Sequence, residues 1–289
     1  MTPNRQPAQA RNRLRTITGR HNARLKELRL AFRRSQLTAG GECAIEGAKL
    51  VEEALRHAER VETVFFAESA KKLAEKLLAQ IASRVETLLL PDSLFKSVVP
   101  SDSPQGIAAL VKLRSFSLEK ILDRGGNGPF VAVFGLQDPG NLGTILRSAE
   151  AFGAAGVLLA EGTASPYNSK VLRGSAGSIF RLPFARIASK ELIPLLRARG
   201  VRMLATSSHK GTPLPEANWD PPLAVFIGNE GSGLPSEIMR QMDETIAIPQ
   251  AAAVESLNAG VAASIVLYEA SVRGHHRVTE AQRNAGSGS

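Results

Sequence analysis

Three short stretches of this chain carry the side chains able to do chemistry. They are DPGNLGTILRSAEAFG (Asp138 to Gly153), IGNEGSGLP (Ile227 to Pro235) and IPQAAAVESLNAGVAAS (Ile248 to Ser264). Each follows or ends a β-rich apolar run, and two of them pass into a helical pattern. Glycine permits tight turns and lets backbone approach a ligand where a Cβ would block it. Three such loops imply a pocket at the ends of strands, where open α/β sheets bind ligands. Arg147 presents a planar fork suited to phosphate. It is expected about one turn into a helix beginning near Leu142, where a cation opposes the helix dipole, so a bound anion is its natural partner there. Asn141, Glu230, Ser256 and Asn258 supply hydrogen-bonding groups. Each also has a plainer reading: Asn141 as a turn amide, Glu230 as a carboxylate before a helix, Ser256 and Asn258 as helix N-caps. Ile248 and Leu257 can flank a flat ring or simply fill the core.

The composition bounds the class. At 289 residues, 43% hydrophobic and 22% charged, the chain fits a soluble globular protein with room for two domains. No run approaches the ~18 apolar residues of a membrane helix, and the N-terminus has no apolar core of a secretory signal. One cysteine, Cys43, excludes an internal disulfide and fits a reducing compartment. Five scattered histidines and that cysteine make no zinc site. The net charge of +9 lies entirely in residues 1–34, which hold ten basic side chains against Glu27 alone. Arg5, Arg11, Arg13, Arg15, Arg20, Arg24, Lys26, Arg29, Arg33 and Arg34 make an arginine-dominated arm. It reads as a polyanion contact, RNA first, with a solvated leader as the alternative.

The elements that must position these residues follow from periodicity. Asn22 to Gln36 reads as a helix, with Leu25, Leu28 and Phe32 on one face. Strands at Cys43–Gly47, Val61–Ala67, Val85–Leu90 and Gly106–Leu113 then alternate with helices at Ala48–His57, Ser69–Ile81 and Ser93–Val98. This describes a small α/β/α domain at 35–122, preceded by the basic arm and first helix at 1–34. DRGGNGP (Asp123 to Pro129) is the linker candidate. A second domain, 130–274, opens on the buried strand Phe130–Leu136. Helix Leu142–Phe152, strand Gly156–Ala160, helix Asn168–Ala176, strand Phe184–Ile187 and helix Lys190–Arg199 follow. Strands Val201–Ala205, Leu223–Ile227 and Thr245–Ile248 and a closing helix Leu257–Arg273 complete it. Apolar strands alternating with helices specify a parallel sheet covered on both faces. Residues 275–289 are expected to form a disordered tail.

The three stretches, in order and spacing, resemble the motifs of the SpoU/TrmH group of RNA ribose 2′-O-methyltransferases, in the SPOUT class. Asn141, Gly143 and Arg147 followed by Ala151 to Gly153 match the first motif. Gly228, Glu230, Gly231 and Gly233 match the second, and Ile248, Pro249, Ser256, Leu257 and Asn258 the third. EGAKLVEEAL (Glu46 to Leu55) and SPQGIAALV (Ser103 to Val111) are similar to the ribosomal-protein-like RNA-binding domain attached to many such enzymes. The resemblance implies an α/β fold whose C-terminal parallel-sheet SPOUT domain ties a deep trefoil knot, a rare exception to unthreaded chains. It implies S-adenosyl-L-methionine as cofactor, held by Thr206, Gly228, Ile248 and Leu257, and no metal. It implies a catalytic set of Asn141, Arg147, Glu230, Ser256 and Asn258. An arginine stays protonated in proteins, so Arg147 is better cast as orienting a phosphate and stabilising a developing alkoxide than as a base. A cytoplasmic homodimer is expected, acting on structured RNA. Large-subunit (23S) rRNA is the first expectation and tRNA the alternative. A non-catalytic RNA-binding or ribosome-associated protein is the rival, against which the intact motif residues stand. A Rossmann nucleotide site fits poorly, because Asp138 to Gly143 lacks its third glycine.

Overall fold

Short apolar strands buried on both faces, and helices with one apolar stripe to cover them, decide this architecture. The structure, a computed structural model, describes residues 13–124, 128–208, 210–251 and 256–286, with side chains as far as Arg273. Two compact units emerge: Met1–Arg114 with Ser165–Arg181, and Ser115–Ala164 with Leu182–Ser289.

The first unit contains β1 (Leu14–Thr16), α1 (Ala23–Arg34), β2 (Cys43–Glu46), α2 (Ala48–His57), β3 (Arg60–Ala67), α3 (Lys71–Leu77), β4 (Glu86–Leu90), α4 (Asp92–Lys96) and β5 (Ile107–Lys112). Its sheet has the order β1-β4-β3-β5-β2. β1, β4 and β3 run parallel, and β5 is antiparallel to both β3 and β2. Asn22 starts α1 by accepting the Leu25 N–H at 3.1 Å. The helix then buries Leu25 and Leu28 against Phe65, Leu88 and Leu110. β1 is an element that periodicity misses, since a single apolar residue carries no period. The basic arm is thus partly structural. The Arg13 guanidinium donates to the carbonyls of Leu78, Ile81 and Ala82, Arg15 pairs with Glu86, and Arg24 pairs with Glu27 and Glu42. Arg5 and Arg11 lie outside the described residues.

The second unit contains α5 (Leu118–Asp123), β6 (Phe130–Val133), α6 (Pro139–Ala151) and β7 (Gly156–Leu159). The chain next forms α7 (Ser169–Gly174), which belongs to the first unit. There Asn168 donates to the Ser35 hydroxyl at 3.2 Å and Arg181 to Glu53 at 2.8 Å. β8 (Phe184–Arg186), α8 (Ser189–Ala198), β9 (Arg202–Ser207), β10 (Thr212–Pro213), β11 (Leu223–Ile227), α9 (Ser236–Met239), β12 (Glu244–Ala247) and α10 (Ala259–Gly286) complete the second unit. Its seven strands are all parallel, in the order β10-β12-β9-β11-β6-β7-β8. From β6 the chain steps outward to β7 and β8. It then returns to the far side of β11 for β9, which opens a crevice beyond the strand ends at the reversal. One face of the sheet buries Phe134 stacked on Phe226, 5.4 Å between ring centres, together with Ile121, Leu196 and Met203.

Several boundaries differ from the sequence reading. The units divide at Arg114/Ser115 rather than at 123–129, because α5 buries Ile121 and Leu122 in the second core. Residues 125–127 of the expected linker lie outside the described residues. The expected single domain at 130–274 lends Ser165–Arg181 to the first unit. α6 begins at Pro139 rather than Leu142, since Asp138 accepts the Asn141 N–H at 2.8 Å and proline suits the first helical position. α10 runs on to Gly286 where a disordered tail from 275 was expected. Its continuation is rich in helix formers and free of proline.

Candidate active site

The crevice past β9, β11 and β12 is a cavity of about 720 Å³, within the range of ligand pockets. Thr206, Gly228, Ile248 and Leu257 all line it, as do Glu230 and Ser256. Three strand ends bring them there: Thr206 lies at the end of β9, Gly228 and Glu230 follow β11, and Ile248, Ser256 and Leu257 follow β12. Thr206, in β9, donates its hydroxyl to the Phe226 carbonyl at 2.9 Å and ties β9 to β11 near the rim. Gly228 follows β11 directly. A Cβ there would lie 2.3 Å from the Gly233 carbonyl carbon and 2.4 Å from the Leu234 nitrogen. Glycine is therefore required by the fold of the loop itself, besides any approach to a ligand. Asn229 holds that loop. Its carbonyl accepts the Gly231 and Ser232 N–H groups at 2.9 and 3.1 Å, and its amide donates to the Gly135 carbonyl at 2.8 Å. Asn229 was missed in the sequence, although an asparagine before a glycine-rich stretch is a turn signal.

At one edge of the cavity three motif side chains form a chain of hydrogen bonds. The Asn258 amide donates to the Asn141 carbonyl at 2.8 Å. The Asn141 amide donates to Glu230 at 3.0 Å, and Asn141 is only 8% exposed. Glu230 also accepts the backbone N–H groups of Asp138 and Gln137 at 3.2 and 3.4 Å. Burial alone would push this carboxyl up. The Asn141 bond and the N–H groups of Glu230, Asp138 and Gln137 outweigh it and hold the group below the usual carboxylate range. Asn258 keeps its plainer role as well, because its carbonyl accepts the Val261 N–H at 3.2 Å at the start of α10. Glu230 thus stands at the N-terminus of α6, distant in sequence, rather than at that of the helix that follows it.

Arg147 is not drawn into that chain. It is exposed and makes no hydrogen bond or ion pair among the described residues. Arg147 does not lie one turn into its helix as expected: with α6 starting at Pro139, it sits past the helix midpoint and away from the positive end of the dipole. It shares a face with Thr144, three residues earlier. Thr144 abuts Gly260, where a Cβ would come within 3.1 Å of it. Arg147 therefore stands free on the side of α6 where α10 begins. The two helices are further joined by the Ser148 and Ser264 hydroxyls at 2.7 Å and by Phe152 edge-on to Tyr268 at 5.7 Å.

A parallel α/β unit with a ligand-sized cavity at a topological reversal, joined in one chain to a separate mixed-sheet unit, defines a two-domain protein of the α/β class. The comparisons give the family. The family model described as SpoU rRNA Methylase family matches residues 128–268, and the one described as RNA 2′-O ribose methyltransferase substrate binding matches residues 44–117. A 23S rRNA (guanosine(2553)-2′-O)-methyltransferase of Bacillus subtilis is 30% identical over 258 residues, 88% of this chain and 98% of its own length. A 23S rRNA (uridine(2479)-2′-O)-methyltransferase of Streptomyces viridochromogenes is 32% identical over 267 residues, 89% of this chain and 91% of its own. The crystal structure of an AdoMet-bound rRNA methyltransferase from Sinorhizobium meliloti superposes with a TM-score of 0.77 at 29% identity, covering 90% of this chain and 98% of that one. The chain belongs to the SpoU rRNA methylase family and is an RNA ribose 2′-O-methyltransferase.

Proposed function

We propose that this enzyme transfers a methyl group from S-adenosylmethionine to a ribose 2′-hydroxyl of 23S rRNA. The observation that carries the reading is the cavity past β9, β11 and β12. It gathers Thr206, Gly228, Ile248 and Leu257 around a space large enough for the cofactor, beside the Asn141, Glu230 and Asn258 chain. Apolar Ile248 and Leu257 suit a purine, and the backbone of the Gly228 loop suits the polar parts. When bound, the cofactor supplies a methyl on a sulfonium, activated for in-line displacement.

The chain's own residues do the rest. Arg147, without an internal partner among the described residues, takes the phosphate beside the target ribose. It holds the 2′-oxygen in line and offsets the charge that develops on it. With the cofactor held by Thr206, Gly228, Ile248 and Leu257, the 2′-hydroxyl would accept the methyl group and give its proton to water, leaving the demethylated cofactor. Glu230 fixes Asn141, Asn141 fixes Asn258, and so the starts of α6 and α10 are held at the rim. Ser256, exposed there, is a contact for the RNA.

The two 23S rRNA-modifying relatives favour rRNA over tRNA. RNA is held by the first unit and by the outward face of α1, where Lys26, Arg29, Arg33 and Arg34 have no internal ion pair among the described residues. The active form is a homodimer. Val261, Ile265 and Tyr268 are 47, 37 and 54% exposed on one face of α10, a stripe that a second copy would cover. The cytoplasm is the site of action, as RNA chemistry and one buried cysteine suit. Labelled methyl transfer to rRNA and to tRNA from cells lacking the gene, with the modified nucleotide mapped, tests the reading. Label on tRNA alone, or on neither, refutes it.

A further inference from the structure

A second cavity, of about 330 Å³, lies within the first unit and shares no residue with the cofactor cavity. Its inner end is formed by Glu46, whose side chain is only 4% exposed. Oε2 of that carboxylate accepts the Ser101 hydroxyl at 2.8 Å and lies 3.8 Å from the Arg173 guanidinium. No hydrogen bond closes on Oε1 among the described residues, and that oxygen keeps access to solvent. Burial pushes the carboxyl up, and Ser101 and Arg173 pull the other way by less. The group is short of donors. Beside it the Gln105 side-chain oxygen accepts the Ala48 N–H at 3.0 Å, which leaves the amide nitrogen to donate. Gly47 makes room for that bond: its φ is +103°, and a Cβ there would lie 3.3 Å from the Gln105 oxygen. Lys49 and Arg173 line the outer part and are exposed. Glu53, also in the wall, is already paired with Arg56 and Arg181.

We infer that this cavity is a pocket for one unstacked guanine base of the RNA, with Glu46 accepting from its N1–H and 2-amino groups. The inference rests on the reading that the first unit holds RNA. A buried carboxylate at the inner end repels a phosphate, whereas Lys49 and Arg173 at the mouth attract one. Charge thus runs in the order a nucleotide requires, base inside and backbone outside. Single-stranded RNA is read in this way, on the Watson–Crick edges of splayed-out bases. The acceptor-only inner end selects the base. A carboxylate has about four lone-pair sites and no donor, so it needs an edge made of donors. Guanine alone presents two adjacent donors there. Adenine and cytosine set a ring acceptor beside their amine, and uracil sets its one N–H between two carbonyls. Each of those acceptors would face the carboxylate unpaired, which is costly in a buried site. The guanine carbonyl beyond N1–H calls for a donor, which the Gln105 amide supplies.

Fluorescence anisotropy of the full-length protein with short uridine oligomers that carry one central guanosine, inosine or adenosine tests this. Inosine lacks only the 2-amino group of guanosine. The wild type should bind the guanosine oligomer about tenfold more tightly than the adenosine one, a difference of about 1.4 kcal/mol and within what one bidentate base contact discriminates. The inosine oligomer should fall between them. Glu46→Gln, an isosteric change, should erase the preference and leave binding of an all-uridine oligomer unaltered. Equal binding of the three oligomers by the wild type overturns the inference, and that comparison stands even if the variant fails to fold. A folded variant that keeps the guanosine preference also overturns it, because the base would then be read elsewhere. A wild type that binds none of the oligomers refutes the RNA reading of the first unit itself, a failure distinct from binding without base preference.

Discussion

Asn141→Asp is an isosteric change that turns the best-connected side chain of the site against its neighbour. In the wild type the Asn141 amide donates to Glu230 at 3.0 Å. A hydrogen bond to a charged group contributes about 1.5–3 kcal/mol, and the substitution removes it. It also sets two carboxylates about 3 Å apart, which at an effective dielectric of 20 repel by roughly 5 kcal/mol. The pair escapes the full penalty by keeping one proton. Holding a carboxyl protonated at pH 7 costs about 4 kcal/mol, since it lies about three pH units above the ordinary value at 1.36 kcal/mol each. That proton remakes a hydrogen bond between the two groups, so the expected loss at pH 7 is about 4 kcal/mol, the cost of keeping it. Its pH dependence has a definite sign. In the folded variant one carboxyl titrates above its unfolded value, so the folded state binds more protons and stability falls as pH rises from about 4 towards 7. The wild type behaves oppositely there: Glu230 is held below the usual range. Its stabilisation is present above the unfolded value and is lost as pH falls through the folded one. Urea unfolding reports this directly, because the chain has one tryptophan. Trp219 is buried in the second unit and donates to the Leu214 carbonyl at 3.0 Å. Adding Glu230→Gln to Asn141→Asp should restore most of the loss. A variant within 0.5 kcal/mol of the wild type at pH 7, a margin typical of surface substitutions, with the same pH slope, would show that the hydrogen-bond chain contributes nothing.

Arg147→Ala should abolish methyl transfer and leave S-adenosylhomocysteine affinity within a few-fold. Arg147→Lys should fail too, since a point charge does not replace a planar fork; near-normal turnover in the lysine variant contradicts the assigned geometry. Replacing Lys26, Arg29, Arg33 and Arg34 with glutamine should flatten the slope of log K against log salt for RNA binding by roughly 3, at about 0.7–0.9 per phosphate contact. Substitution is the cleaner test than truncation, because Arg13 and β1 are tied into the first unit. An unchanged slope assigns the RNA contact elsewhere. Ile265→Asp with Tyr268→Asp should yield monomers in analytical ultracentrifugation if α10 is the homodimer face; dimers of unchanged affinity reject it.

Much of this molecule is legible in the residues. Apolar runs such as Phe130–Val133 and Leu223–Ile227 mark buried parallel strands, because nothing polar can be placed on either face. The glycine-rich loops and the order of Asn141, Arg147, Glu230, Ser256 and Asn258 identify the family, since a local pattern survives without knowledge of the fold. What the sequence could not decide depends on partners far along the chain. β1 exists only because β4 pairs with it. Ser165–Arg181 joins the first unit only through contacts such as Arg181 with Glu53. The start of α6 turns on Asp138, whose capping geometry shifts Arg147 out of the first turns. Periodicity records which side of an element is apolar. Which hydrogen bonds close across residues about a hundred positions apart, as between Asn141 and Asn258, is settled only when tertiary packing removes the water that would otherwise satisfy them.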